Sequence, residues 1–132
     1  MDFFEKYRLE INEDVKIDQL NLLEREMQHP AIRHKWVSRL IQHKKNKTEL
    51  ERKKKTLKQE VLKNITEKGI PTGIPKTAID NKVESSEVIQ KINQEIEDIT
   101  LLIDYLERVE KVFSSMSYDF GSINNTIKME MT

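Results

Sequence analysis

Lys44, Lys45, Lys47, Arg52, Lys54, Lys55, Lys58 and Lys63 crowd into a stretch that holds no glycine, no proline and no aromatic ring. A helix advances about 100° per residue, so with Lys44 at zero, Lys47, Lys54, Lys55 and Lys58 stand at about 300°, about 280°, about 20° and about 320°. They share an arc of about 100°, broken by Glu51. Leu50, Leu57 and Val61 fall beside it, at about 240°, about 220° and about 260°, and give the helix an apolar stripe by which to anchor. Ammonium groups in such a row neutralise phosphates and release counterions without reading bases. No aromatic residue lies between Val37 and Asp104, so this stretch offers no platform for base stacking and implies sequence-independent binding.

The overall charge conceals this block. The 132 residues carry 23 Lys+Arg and 23 Asp+Glu. Residues 33–68, however, hold thirteen basic and four acidic side chains, against four and eight in residues 1–32 and six and eleven in residues 69–132. The bland alternative is a solvated face whose charges pair with Glu95, Glu97, Asp98 or Asp104. Four acids inside the block cannot neutralise thirteen bases, which favours a polyanion partner.

Catalytic and metal chemistry find little support. The absence of cysteine removes thiolate nucleophiles, disulfides and Cys-ligated metals, and fits a reducing compartment. His29, His34 and His43 lack the i, i+4 spacing of helical metal ligands and read as surface histidines. Carboxylate pairs such as Glu95 and Asp98 have no pocket signal around them, and Asp119-Phe120-Gly121 spells a kinase triplet without the other kinase motifs. The sequence therefore predicts no enzyme, no metal and no cofactor. It shows neither a leader pattern nor an apolar run that could span a bilayer, and reads as a soluble intracellular protein.

The elements that must position the lysines are helical. Phe4, Tyr7 and Ile11 define a short helix over 2–12, and Asp18 caps a second through His29 that buries Leu20, Leu23 and Met27. Pro30 predicts a kink or restart at 29–31, after which residues 31–68 form one long basic helix with Trp36 as a packing residue. Gly69-Ile70-Pro71 and Gly73-Ile74-Pro75 stop it and open a hinge loop over 69–84. Ser85 or Ser86 caps a long helix over 85–117, whose Ile89, Ile92, Ile96, Ile99, Ile103, Leu106 and Phe113 form a coiled-coil seam with Val109 in its gap. Gly121 and Asn124-Asn125 break off a C-terminal segment over 118–130. The expectation is a single all-α domain over 1–132, a helical hairpin with short terminal helices. A hairpin has too few facing surfaces to hide its seams, so it self-associates.

Asp14-Val15-Lys16-Ile17-Asp18, Lys35-Trp36-Val37 and the lysine-rich helix ending at Lys68-Gly69 resemble, in order and spacing, the UvsY family of recombination mediators of T-even-like phages. The likeness covers residues 14–69 and is looser over Leu101–Ile127. It implies a ring-like homo-oligomer, hexameric or heptameric, that binds single-stranded DNA. Such a ring loads a RecA-like recombinase of the UvsX type and helps displace the phage single-strand-binding protein, in the cytoplasm of the infected host and without hydrolysing ATP. Its C-terminal assembly region corresponds here to Phe113, Met116, Phe120, Ile123 and Ile127. One departure stands out: the family's Lys-x-Arg falls on Gln59-Glu60-Val61. Lys54, Lys55, Lys58 and Lys63 take its place on the helical projection alone. The rival reading is a coiled-coil adaptor or prefoldin-like chaperone subunit without nucleic-acid binding, although residues 69–84 hardly accommodate the β-hairpins of a prefoldin.

Overall fold

A computed structural model describes residues 3–16, 22–67, 69 and 73–131, with side chains as far as residue 116. Four helices follow one another: α1 (Phe3–Asp14), α2 (Leu22–Glu67), α3 (Lys76–Glu84) and α4 (Glu87–Met131). No strand occurs among the described residues, and the fold is all-α. None of these helices is long and apolar enough to cross a membrane.

The contacts divide the chain into two compact units, where the sequence suggested one domain. Met1–Gln42 with Leu102–Thr132 form unit 1, and His43–Leu101 form unit 2. In unit 1, Trp36 and Phe113 are almost wholly buried together with Tyr7, Ile11, Leu40, Leu102, Ile103, Leu106, Val109 and Met116. The Tyr7 ring meets Trp36 edge-on with centroids 5.3 Å apart, and Phe4 packs against Tyr105 at 4.6 Å. Polar groups seal this core. The Trp36 indole N–H donates to Asp14 Oδ2 at 2.8 Å, and Lys35 Nζ donates to the same oxygen at 2.6 Å.

Pro30 lies inside α2 without ending it. Tertiary contacts on either side override its low propensity: His29, buried, stacks toward Phe113 at 6.0 Å, and Arg33 donates twice to Glu110 Oε1, at 2.9 and 2.7 Å. Continuity through Pro30 overturns another expectation. With α2 unbroken, its inward face in unit 1 is set by His29, Trp36 and Leu40, at about 300°, about 280° and about 320° on the same projection. Leu23 and Met27 then stand at about 60° and about 100°. They point outward, with 70% and 75% of their surface exposed. Asp18 and Leu20 lie outside the described residues.

Unit 2 buries His43, Val83, Ile89 and Ile92 and half-buries Leu50, Leu57, Val61, Ile65, Ile96 and Ile99. His29 and His43 are thus interior residues, and only His34 of the three is exposed. The connection after α2 uses Gly69 at φ +81° and Gly73 at φ +97°, left-handed geometry that other residues rarely adopt. The Gly69 N–H donates to the Thr66 carbonyl. The expected hinge loop is largely helical: Pro75 is extended, and its carbonyl accepts from the Ala78 and Ile79 N–H groups as α3 begins. Ser86, one of the two serines proposed as cap, takes the Ile89 N–H on its Oγ at 3.4 Å. α4 then continues through Gly121 and Asn124-Asn125 to Met131, where a break was expected.

Candidate nucleic-acid interface

Every cation that the sequence singled out lies on α2 within unit 2. Burial sorts them into two groups. Lys47, Lys54 and Lys58 are half-buried, alongside Leu50, Leu57, Val61 and Ile65. Their positions, about 300°, about 280° and about 320°, make them the shoulder of the packed face. Lys44, Lys45, Arg52, Lys55 and Lys63 are exposed, at about 0°, about 100°, about 80°, about 20° and about 100°.

The outward face is therefore centred opposite the apolar stripe. Between about 0° and about 120° the part of α2 that belongs to unit 2 presents those five cations with Thr48, Thr56, Gln59, Leu62 and Thr66, and no carboxylate. The acids flank it: Glu51 at about 340°, Glu49 and Glu67 at about 140°, and Glu60 at about 160°. The signal that locates this arc was present in the sequence. Leu50, Leu57 and Val61 fix the inward direction at about 240°, so the solvent face must centre at about 60°. The basic stripe next to the apolar residues includes the three shoulder lysines as well.

Pairing divides the cations along a different line. Among the described residues Lys45, Lys47, Arg52, Lys53 and Lys55 make no ion pair, and neither do Glu95, Glu97, Asp98 or Asp104. Asp98 instead accepts from Gln94 at 2.9 Å. Lys58 is bound to Glu84, the last residue of α3. That contact, with the charges of Lys58 and Lys54, holds the Glu84 carboxyl below its ordinary pKa. Lys63 Nζ lies 4.0 Å from Glu67 Oε1, both largely exposed. A chain of phosphates laid past Lys45, Arg52 and Lys55 would meet ammonium and guanidinium groups with little competition from fixed acids.

The family model described as "Recombination, repair and ssDNA binding protein UvsY" matches residues 10–132. This chain belongs to the UvsY family. Its fold is that of the bacteriophage T4 recombination mediator protein UvsY. One T4 UvsY crystal form superposes with a TM-score of 0.82 at 17% identity, covering 96% of this chain and 97% of that one. Another gives 0.79 at 18% identity, covering 100% and 99%. At that identity the structural likeness speaks for the fold alone. No curated protein sequence matches the chain.

Where the UvsY resemblance places the family's Lys-x-Arg, Gln59 and Glu60 are exposed and Val61 is half-buried, so this member carries no cation there. Of the residues assigned to assembly by that resemblance, Phe113 and Met116 are buried inside unit 1, with 0% and 8% of their surface exposed. While the fold holds they serve its own core. The side chains of Phe120, Ile123 and Ile127 lie outside the described residues.

Proposed function

We propose that this protein is a phage recombination mediator that binds single-stranded DNA, sequence-independently, on the outward face of α2. Lys44, Lys45, Arg52, Lys55 and Lys63 carry the phosphate contacts, and Lys47, Lys54 and Lys58 border them. Working as a homo-oligomer in the cytoplasm of an infected bacterium, it holds the strand so that a RecA-like recombinase loads and the single-strand-binding protein leaves. Its role is that of a scaffold, in which weak contacts repeated across subunits sum to useful affinity.

The observation that carries this reading is the acid-free arc of cations on a member of a family described as ssDNA-binding. Five phosphate contacts to a single strand give a log–log salt slope of about −3.5, so a fourfold rise in salt weakens binding about 100-fold per subunit. Fluorescence anisotropy with two oligonucleotides of unrelated sequence tests this. Equal affinities with that slope are expected, and binding indifferent to salt would overturn it.

A further inference from the structure

Glu84 is oddly placed for its own helix. As the last residue of α3 it sets a negative charge beside carbonyls that already carry the negative end of the helix dipole. What holds it there lies on another element: Lys58 of α2 binds its carboxylate, and the charge of Lys54, one turn earlier on the same helix, adds to the attraction. Two cations four residues apart on α2 thus form a cradle for an oxyanion. The occupant in the folded chain is the protein's own carboxylate.

The cradle is open to exchange. The Lys58 and Glu84 side chains keep 39% and 45% of their surface in contact with solvent, and pairs this wet contribute little to stability. Lys58 also stands only about 60° around the helix from Lys55, at the border of the acid-free arc. A strand already held by Lys55 and Arg52 would bring its next phosphate to this point at high effective concentration.

We infer that the Lys54–Lys58 cradle is a phosphate-binding site held in the wild-type chain by Glu84, which competes with the strand and keeps most of it from that contact. The inference rests on the ssDNA-binding reading above. Glu84 thereby lowers the affinity of the free protein and keeps two lysines from indiscriminate polyanion capture.

The test is Glu84→Gln in the full chain, titrated by anisotropy with an unrelated-sequence oligonucleotide over a salt series, with helicity followed by circular dichroism. One added phosphate contact steepens the slope by about 0.7 and tightens binding about fivefold at about 0.1 M salt. Glu60→Gln makes the same charge change on an exposed residue outside the cradle and is expected to leave the slope alone. In a Lys54→Ala/Lys58→Ala background Glu84→Gln should bring no gain. If the wild-type chain binds with the expected slope and Glu84→Gln matches it, the cradle inference fails and the DNA-binding reading stands. If neither chain binds, both fail. A gain equal to that of Glu60→Gln, or one that survives loss of both lysines, also overturns the inference.

Discussion

The two units use positive charge in opposite ways, although one helix supplies it to both. In unit 1, Arg33, Lys35 and Arg39 of α2 each find a carboxylate: Glu110, Asp14 and Glu10. The Arg39 guanidinium also lies over the Trp36 and Tyr7 rings, at 4.7 and 5.1 Å, and Lys35 over Trp36 at 5.1 Å. In unit 2, Lys45, Arg52 and Lys55 meet water and no carboxylate among the described residues. A cation matched by acid and ring holds a fold together. A cation left unmatched on a helix face is available to a partner.

The largest effect should come from the centre of the matched region. Trp36 is 1% exposed, packs edge-on against Tyr7 and donates its indole N–H to Asp14. Trp36→Ala removes that volume, leaves Asp14 one donor short, and should cost about 3–5 kcal/mol, read as a lowered midpoint in urea. A loss below about 1 kcal/mol would show that the ring is not what unit 1 is built around.

Next comes the unmatched region. Lys45→Ala/Arg52→Ala/Lys55→Ala should flatten the salt slope by about 2 and weaken ssDNA binding about 100-fold at about 0.1 M salt. Helicity and the urea midpoint should hold, because none of the three is buried or paired. Destabilisation comparable to that of Trp36→Ala would erase the distinction between the units.

That distinction was only half legible in the sequence. The all-α class, the long central helix and the seam through Ile89, Ile92, Leu106 and Phe113 followed from periodicity, which packing then reinforced. Gly69 and Gly73 marked the connection because their backbone needs positive φ. Local propensity misled wherever distant contacts decide: Pro30 stays helical because His29 and Arg33 are held by Phe113 and Glu110, and that continuity turns Leu23 and Met27 outward. In the candidate site, residue types alone gathered all eight cations. Separating the exposed five from the half-buried Lys47, Lys54 and Lys58 required knowing which side packs, and the Glu84 contact comes from a helix that the sequence presented as a loop.

A smaller effect, confined to unit 1, follows from Glu10. The hydrogen bond from Arg39, which outweighs burial, holds its carboxyl below the ordinary value, and the charges of Lys35 and Arg39 add to this. A carboxylate depressed in the folded state contributes its stability in full above its unfolded pKa and loses it as pH falls through the folded one. Unit 1 should therefore weaken on acidification across the lower carboxylate range. Glu10→Gln should lower stability at neutral pH by about 1 kcal/mol, an amount discounted for the pair's partial exposure, and flatten the acid-side dependence. Parallel urea titrations of both chains along a pH series decide it, and identical slopes would reject the pair as a contributor.

The smallest effect is expected where a helical ion pair looks most conventional. Lys63 and Glu67 are four residues apart on α2, but their charged atoms are 4.0 Å apart, both side chains are mostly in water, and the cation precedes the anion, the weaker order for such pairs. Glu67→Gln should therefore change the urea midpoint by less than about 0.5 kcal/mol. Lys63→Ala should be equally silent in stability yet flatten the ssDNA salt slope by about 0.7, the share of one phosphate contact. A stability loss above about 1 kcal/mol in either variant would move Lys63 from the partner-facing cations to the structural ones. An unchanged slope would end the binding arc at Lys55.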